Sequence, residues 1–203
     1  MDFKNAIANL LASSVFFLRN IFLLIFSPYR TMRNISRGKD FGQAFLIFLT
    51  VFLYFKFVYF LRDDPYPATI TFLVFILHFL FTMAFFYFLG GVSNNKIKIP
   101  GFILTFSYTL IPTLFWFVSN SILYVFIPPP RSYSILGKGF SIFYISYSIS
   151  LLTWKLILIY LALRFSTKLG FYRIMYLMIL FLLWFIPYSV FLFHFKIFRI
   201  PFI

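Results

Sequence analysis

The sequence contains no cysteine and no glutamate, and it has only four acidic residues and two histidines in 203 positions. Without cysteine there are no disulfides, no thiol chemistry and no cysteine-ligated metals. The four carboxylates, Asp2, Asp40, Asp63 and Asp64, all lie outside the long apolar segments. An intramembrane metalloprotease needs a His-Glu-x-x-His pattern and an intramembrane aspartyl protease needs two buried aspartates, and neither pattern is present. We therefore predict a protein that is not an enzyme and that needs no cofactor and no metal.

Charged residues are also scarce, at 11% of the chain against about 25% in soluble proteins. Hydrophobic residues make up 63%. Five apolar segments have the length of about 20 residues that crosses a bilayer, and they cover residues 41–61, 68–89, 102–127, 140–165 and 172–195. The predicted fold is an all-α membrane protein, in which residues 41–203 form one bundle of five transmembrane helices.

Residues 1–40 are predicted to form an interfacial helix followed by a basic cytoplasmic segment. Polar side chains recur there near a 3.6-residue period, at Asp2, Asn5, Asn9, Ser13 and Asn20. That pattern favours an amphipathic helix lying in the membrane interface with its apolar face down. A cleaved signal peptide is disfavoured, because residues 19–20 (Arg-Asn) fall where small residues would be expected at a cleavage site.

Four cations, Arg30, Arg33, Arg37 and Lys39, stand immediately before the first apolar segment. Such clusters stay on the cytoplasmic side and bind anionic lipid headgroups. A solvated loop without lipid specificity is the alternative, and the sequence leaves both open. The net charge of +14 is therefore attributed to topology and lipid, and no nucleic-acid partner is expected.

The distribution of cations also predicts the orientation. With the N-terminus inside, the inner segments hold 11 of the 18 lysines and arginines, the outer segments hold 5, and 2 lie within spans. Because cytoplasmic segments carry the excess of cations, we predict an inside N-terminus and an outside C-terminus.

The third segment carries polar side chains at helical spacing, namely Thr105, Tyr108, Pro112, Trp116 and Ser119. Pro112 has no N–H to donate and crowds the backbone carbonyl four residues earlier. In lipid that carbonyl needs a donor from a neighbour. We therefore expect this span to face protein and the other helices to pack around it.

The fourth segment places a second polar stripe on one face, formed by Ser141, Tyr144, Ser148 and Lys155. Small and hydroxylated side chains join membrane helices by hydrogen bonds. We predict that the bundle has a polar core formed by Tyr108, Pro112, Ser148, Lys155 and His78.

Two ionisable groups of this core have more than one interpretation. Lys155 lies roughly 13 Å from the inner end of its span, too deep to snorkel fully as Lys56 can near the outer end of its own span. Its partner could be a tyrosine hydroxyl, the backbone carbonyl of Tyr108 or a lipid phosphate, so the site is either an anion-binding pocket or a neutral or hydroxyl-solvated lysine. His78 at mid-span is either functional or a neutral imidazole bonded to a neighbouring hydroxyl.

Three features in this order resemble the Yip1 family of integral membrane proteins in its short prokaryotic form. They are residues 28–30 (Pro-Tyr-Arg), residues 90–91 (Gly-Gly) and residues 108–112 (Tyr-Thr-Leu-Ile-Pro). The resemblance covers nearly the whole chain and implies a five-helix bundle with a cytosolic N-terminus. Eukaryotic relatives contact Rab-type GTPases through a longer N-terminal region with an Asp-Leu-Tyr-Gly-Pro motif. This sequence has neither, so no GTPase partner is carried over.

The function expected from these features is that of a non-enzymatic accessory or scaffold protein. It would bind membrane lipids and other integral membrane proteins, such as subunits of a transporter or export complex, and homo-oligomerisation stays open. The expected location is the bacterial cytoplasmic membrane, or the ER or Golgi membrane if the chain is eukaryotic. The alternative is a small-molecule-binding transport subunit, like the substrate-capturing component of a vitamin importer. Proton- or sodium-driven transport is disfavoured, because no carboxylate lies within a span.

Overall fold

The structure is a computed structural model that describes residues 3–61, 66–93, 97–126 and 135–195. Expectations about Asp2, Asp63 and Asp64 lie outside the described residues. In those ranges the chain is almost entirely helical and contains no strand, so the prediction of an all-α protein is confirmed. The described part of the chain forms eight helices in succession: α1 (Phe3–Phe26), α2 (Pro28–Ile35), α3 (Phe41–Leu61), α4 (Ala68–Ser93), α5 (Ile99–Tyr108), α6 (Ile111–Phe126), α7 (Ile135–Thr167) and α8 (Phe171–His194).

Five spans in the described part of the chain are long and apolar enough to cross a membrane: α3, α4, α5 with α6, α7 and α8. The limits of α3 match the predicted span. Residues 90–91 lie beyond the predicted span of 68–89 but belong to α4, which continues to Ser93. A Cβ at Gly90 would lie 3.4 Å from the Thr167 side chain, which is ordinary van der Waals contact. Helix α4 thus runs close to the end of α7 at this point.

The third span is two helices, not the single helix that was expected. Between α5 and α6 the chain tightens, since the N–H groups of Thr109 and Leu110 bond the carbonyls of Phe106 and Ser107, three residues back. Pro112 is the second residue of α6. In the first turn of a helix an N–H has no partner within the helix, so proline is tolerated there. The proline therefore marks the start of a new helix within the span.

This broken span lies at the centre of the bundle. In its most apolar 18-residue window 78% of the residues are buried, against 11–28% in the other four spans. The other helices turn large apolar side chains outward, among them Phe60 (82% exposed) and Ile142 (68% exposed). Outward-facing apolar surface on this scale fits a lipid environment. The third span thus contacts protein, and the helices around it present the apolar surface.

Helix α1 packs two residues of its predicted polar stripe, Ser13 and Asn20, against the bundle. The hydroxyl of Ser13 donates to Asp40, and the amide of Asn20 donates to Gln43 Oε1 at 3.0 Å. The opposite face is apolar and exposed, with Leu11, Val15, Leu18, Phe22 and Phe26 each more than 60% exposed. The polar side of α1 therefore contacts protein instead of water, and its apolar side is the free one.

Helix α2 fixes the basic segment to one end of the bundle. Its buried side chains are Thr31, Met32 and Ile35. The Tyr29 ring packs edge-on against Phe165 near the end of α7, with 4.9 Å between the ring centroids. The backbone carbonyl of Ser36 lies directly over Gly101 in the first turn of α5, where a Cβ would overlap it. The start of α5 and the end of α7 thus lie at the same end as α2.

Candidate functional site: a cavity at Lys155 and a basic end of the bundle

A cavity of about 250 Å³ lies between α6 and α7. It is open on one side, because Ile149 (58% exposed) and Leu152 (41% exposed) at its edge belong to the outer surface of the bundle. The half-buried Lys155 is its one charged lining residue among the described side chains. The full lining comprises Pro112, Thr113, Trp116, Ser148, Ile149, Leu151, Leu152 and Lys155.

Two polar groups of this cavity are paired and two are not. Trp116 Nε1 donates to Ser148 Oγ at 3.1 Å, and Ser148 Oγ donates to the backbone carbonyl of Tyr144 at 2.9 Å. The hydroxyl of Thr113 is buried and has no hydrogen-bond partner. Lys155 makes no hydrogen bond with any residue in the described ranges. The residues that line the cavity therefore include an unpaired ammonium group and a buried, unpaired hydroxyl.

His78 lies on the other side of Lys155, in a second, smaller cavity of about 50 Å³ that both residues line. Its ring stacks on Tyr188, with 5.4 Å between centroids and an interplanar angle of 15°, and it also contacts Phe185 at 5.2 Å. Nδ1 of His78 is buried without a hydrogen-bond partner. The imidazole is thus held by aromatic rings, and the hydroxyl of nearby Thr82 bonds its backbone carbonyl instead.

Tyr108 is not part of this site. Pro112, Ser148 and Lys155 share a cavity, but the hydroxyl of Tyr108 donates to Gln43 Oε1 and accepts from Asn20 Nδ2 at 3.2 Å. The break before Pro112 explains the difference, because α5 and α6 do not share a continuous helical face. The predicted polar core is therefore divided into a Lys155 cavity and a Tyr108 network.

The partners of Tyr108 were not among the predicted site residues. Gln43 Nε2 donates to Asp40 at 3.0 Å, and Asp40 also accepts from the backbone N–H of Gly42 and from the hydroxyl of Ser13. Asp40 thereby caps the first turn of α3. A polar residue inside an apolar span was the available signal for Gln43, since buried amides need partners.

The predicted lipid-contact residues, Arg30, Arg33, Arg37 and Lys39, are all exposed. The packing of α2 places them at the end where α5 begins and α7 ends. Four further exposed cations belong to that end: Lys98, Arg164, Lys168 and Arg173. We call these eight cations the basic end. The one acidic residue in the described ranges, Asp40, is occupied by the hydrogen bonds of the α1–α3 contact.

Comparison with known proteins found no matching family model, no matching curated protein and no matching solved structure. Within the described part of the chain, no group of three His, Cys, Asp or Glu side chains is placed to hold a metal ion.

Proposed function

We propose that this chain is a multi-pass membrane protein of the Yip1 type that acts as a non-enzymatic accessory or scaffold protein. In this proposal the basic end binds anionic lipid and the inner face of other integral membrane proteins, transporter subunits among them. The observation that carries it is the gathering of eight exposed cations from separate parts of the sequence at one end. Asp40, the one acidic side chain in the described ranges, can offset only one of these eight charges. In this proposal anionic lipid and partner proteins supply further negative charge.

The proposed orientation puts the basic end in the cytoplasm. Cations concentrate on the cytoplasmic side of membrane proteins, and toward the opposite end the exposed cations of the described residues are Lys56 on α3 and Lys138 on α7. Five spans then place the N-terminus inside and the C-terminus outside, in the cytoplasmic membrane if the source is bacterial. Reporter fusions after Asn95 and after Ile203 are expected on opposite sides. Both reporters on the same side would contradict this orientation.

The lipid contact can be tested by neutralising the four cations of residues 30–39 together. The protein is reconstituted in nanodiscs of phosphatidylcholine with and without phosphatidylglycerol, and its thermal unfolding midpoint is compared. A basic residue near an anionic surface contributes about 1 kcal/mol, so the wild-type protein is expected to gain stability from phosphatidylglycerol and the quadruple glutamine variant to lose most of that gain. A Lys56→Gln, Lys138→Gln variant serves as the control. An equal gain in both variants would refute lipid binding at the basic end.

The protein contact is tested by photo-crosslinking in the native membrane. A photoreactive amino acid replaces Arg33 at the basic end or, as the control, the lipid-facing Ile142 on α7. The proposal expects a reproducible adduct with an integral membrane protein from position 33 and lipid adducts alone from position 142. Lipid adducts alone from both positions would reject the accessory function and leave a lipid-binding protein.

A further inference from the structure

We infer that the cavity at Lys155 binds a long-chain carboxylate, such as a fatty acid that enters sideways from the bilayer. The carboxylate contacts the Lys155 ammonium and, once the Thr113 side chain has rotated toward the cavity, the Thr113 hydroxyl. The acyl chain leaves through the open side, past Ile149 and Leu152. This inference is independent of the proposed accessory function, because it rests on the interior of the bundle and not on its basic end.

The position of Lys155 calls for a negative partner. Lys155 precedes the exposed Arg164 by nine residues of α7, which corresponds to about 13 Å along the helix axis. The hydrocarbon core is about 30 Å thick, so with Arg164 at the headgroup level Lys155 lies near the bilayer midplane. Cations at that depth are costly and normally pair with another group. Within the described spans there is no aspartate or glutamate to pair with it.

The unpaired donors of the residues that line the cavity select the class of anion. The free donors are the ammonium of Lys155 and the hydroxyl of Thr113, because Trp116 Nε1 is used by Ser148. Thr113 is the third residue of α6, and the N-terminus of a helix carries a partial positive charge. Discontinuous membrane helices bind anionic groups in this way. Two donors suit the two oxygens of a carboxylate, whereas a phosphate would keep further oxygens buried without hydrogen bonds, which is unfavourable.

The size and shape of the cavity select the rest of the ligand. A volume of about 250 Å³ exceeds that of a cavity of about 150 Å³ that holds benzene. It is smaller than the roughly 300–1,000 Å³ of pockets that enclose whole drug-sized ligands. A carboxylate and the first carbons of a single chain fit inside, while the remaining chain lies against the exposed apolar side chains outside. A glycerol backbone with two acyl chains is too large.

Trp116 in the cavity wall provides the probe. In a Trp154→Phe, Trp184→Phe background it is the single tryptophan of the chain. The protein is reconstituted in phosphatidylcholine nanodiscs and titrated with a fatty acid brominated on the carbons next to the carboxylate. Saturable quenching of Trp116 by the acid is expected, with much weaker quenching by the brominated alcohol and by the brominated alkyl phosphate of equal chain length.

Two variants test whether Lys155 binds the ligand or only supports the fold. Loss of a charge-assisted hydrogen bond corresponds to about 10- to 100-fold weaker binding, so Lys155→Met is expected to shift the quenching midpoint by that factor. Lys56→Met, which removes an exposed lysine on α3, is expected to leave the midpoint unchanged. Equal quenching by acid and alcohol would overturn the inference, as would tighter binding of the alkyl phosphate or an unshifted midpoint in Lys155→Met. The comparison of acid with alcohol needs only Lys155-containing protein, so it decides the matter even if Lys155→Met cannot be purified.

Discussion

Removal of the Tyr108 hydroxyl tests whether α1 is a structural part of the bundle. Tyr108 is fully buried, and its hydroxyl bonds both Gln43 Oε1 on α3 and Asn20 Nδ2 on α1. In Tyr108→Phe both bonds are lost, but Asn20 keeps its own bond to Gln43. Hydrogen bonds between membrane helices contribute on average about 0.6 kcal/mol and at most about 1.7 kcal/mol. We therefore expect the free energy of unfolding to fall by about 1–2 kcal/mol.

The change Gln43→Leu should cost more, about 2–4 kcal/mol, since it leaves the buried Tyr108 hydroxyl without its acceptor and removes one of the two hydrogen bonds of the half-buried Asn20 amide. The double variant Tyr108→Phe, Gln43→Leu should lose less free energy of unfolding than the sum of the two single variants, because a phenylalanine at position 108 has no hydroxyl that could be left without an acceptor. This non-additivity is specific to a shared hydrogen-bond network.

The assay is reversible unfolding in mixed micelles by increasing fractions of dodecyl sulfate, followed by tryptophan fluorescence. Tyr172→Phe is the matched control, because Tyr172 is 87% exposed and loses the same hydroxyl group. If Tyr108→Phe were no more destabilising than Tyr172→Phe, or if the double variant were strictly additive, the network would not hold α1 to the bundle.

Two further predictions use the same unfolding assay. Gly101→Ala should cost about 1–3 kcal/mol, because its Cβ would overlap the carbonyl of Ser36. Gly139→Ala is the control and should be neutral or stabilising, because nothing lies within 4 Å of a Cβ there. Equal effects of the two variants would show that the end of α2 does not pack against α5. Thr113→Val should stabilise the ligand-free protein by about 1–3 kcal/mol, because it removes a buried hydroxyl without a partner, and yet weaken quenching of Trp116 by the brominated acid. A variant with unchanged quenching would mean that Thr113 does not contact the ligand.

The outline of the membrane domain could be predicted because hydropathy and flanking charges act over whole segments. Helix α3 begins at Phe41, directly after the polar Asp40, and ends at Leu61, directly before Arg62. The central place of the third span also followed from local chemistry, because a backbone carbonyl that loses its hydrogen bond to a proline needs a donor from a neighbouring helix when it lies in lipid. Such rules depend on residues within one or two turns of each other.

The break of the third span and the partners of Tyr108 could not be predicted in the same way. A proline inside an apolar segment is compatible both with a kinked helix and with two helices, and the N–H bonds of Thr109 and Leu110 decide for two. Helical spacing then no longer tells which neighbour Tyr108 contacts. Its bond to Gln43 joins residues 65 positions apart, and no pattern within one segment encodes such a pair.

Both proposals draw negative charge from lipid molecules, and the depth of the two candidate sites separates them experimentally. Asp40 is bonded to Ser13, Gly42 and Gln43, and its single charge can offset only one of the eight cations of the basic end. Exposed charges are screened over about 10 Å at 0.1 M salt, whereas buried pairs are screened much less. Raising the salt concentration should therefore abolish the stabilisation by phosphatidylglycerol at the basic end and leave the binding of the long-chain carboxylate at Lys155 nearly unchanged. If salt weakened both to the same extent, the quenching of Trp116 would report acid bound at the surface and not in the cavity.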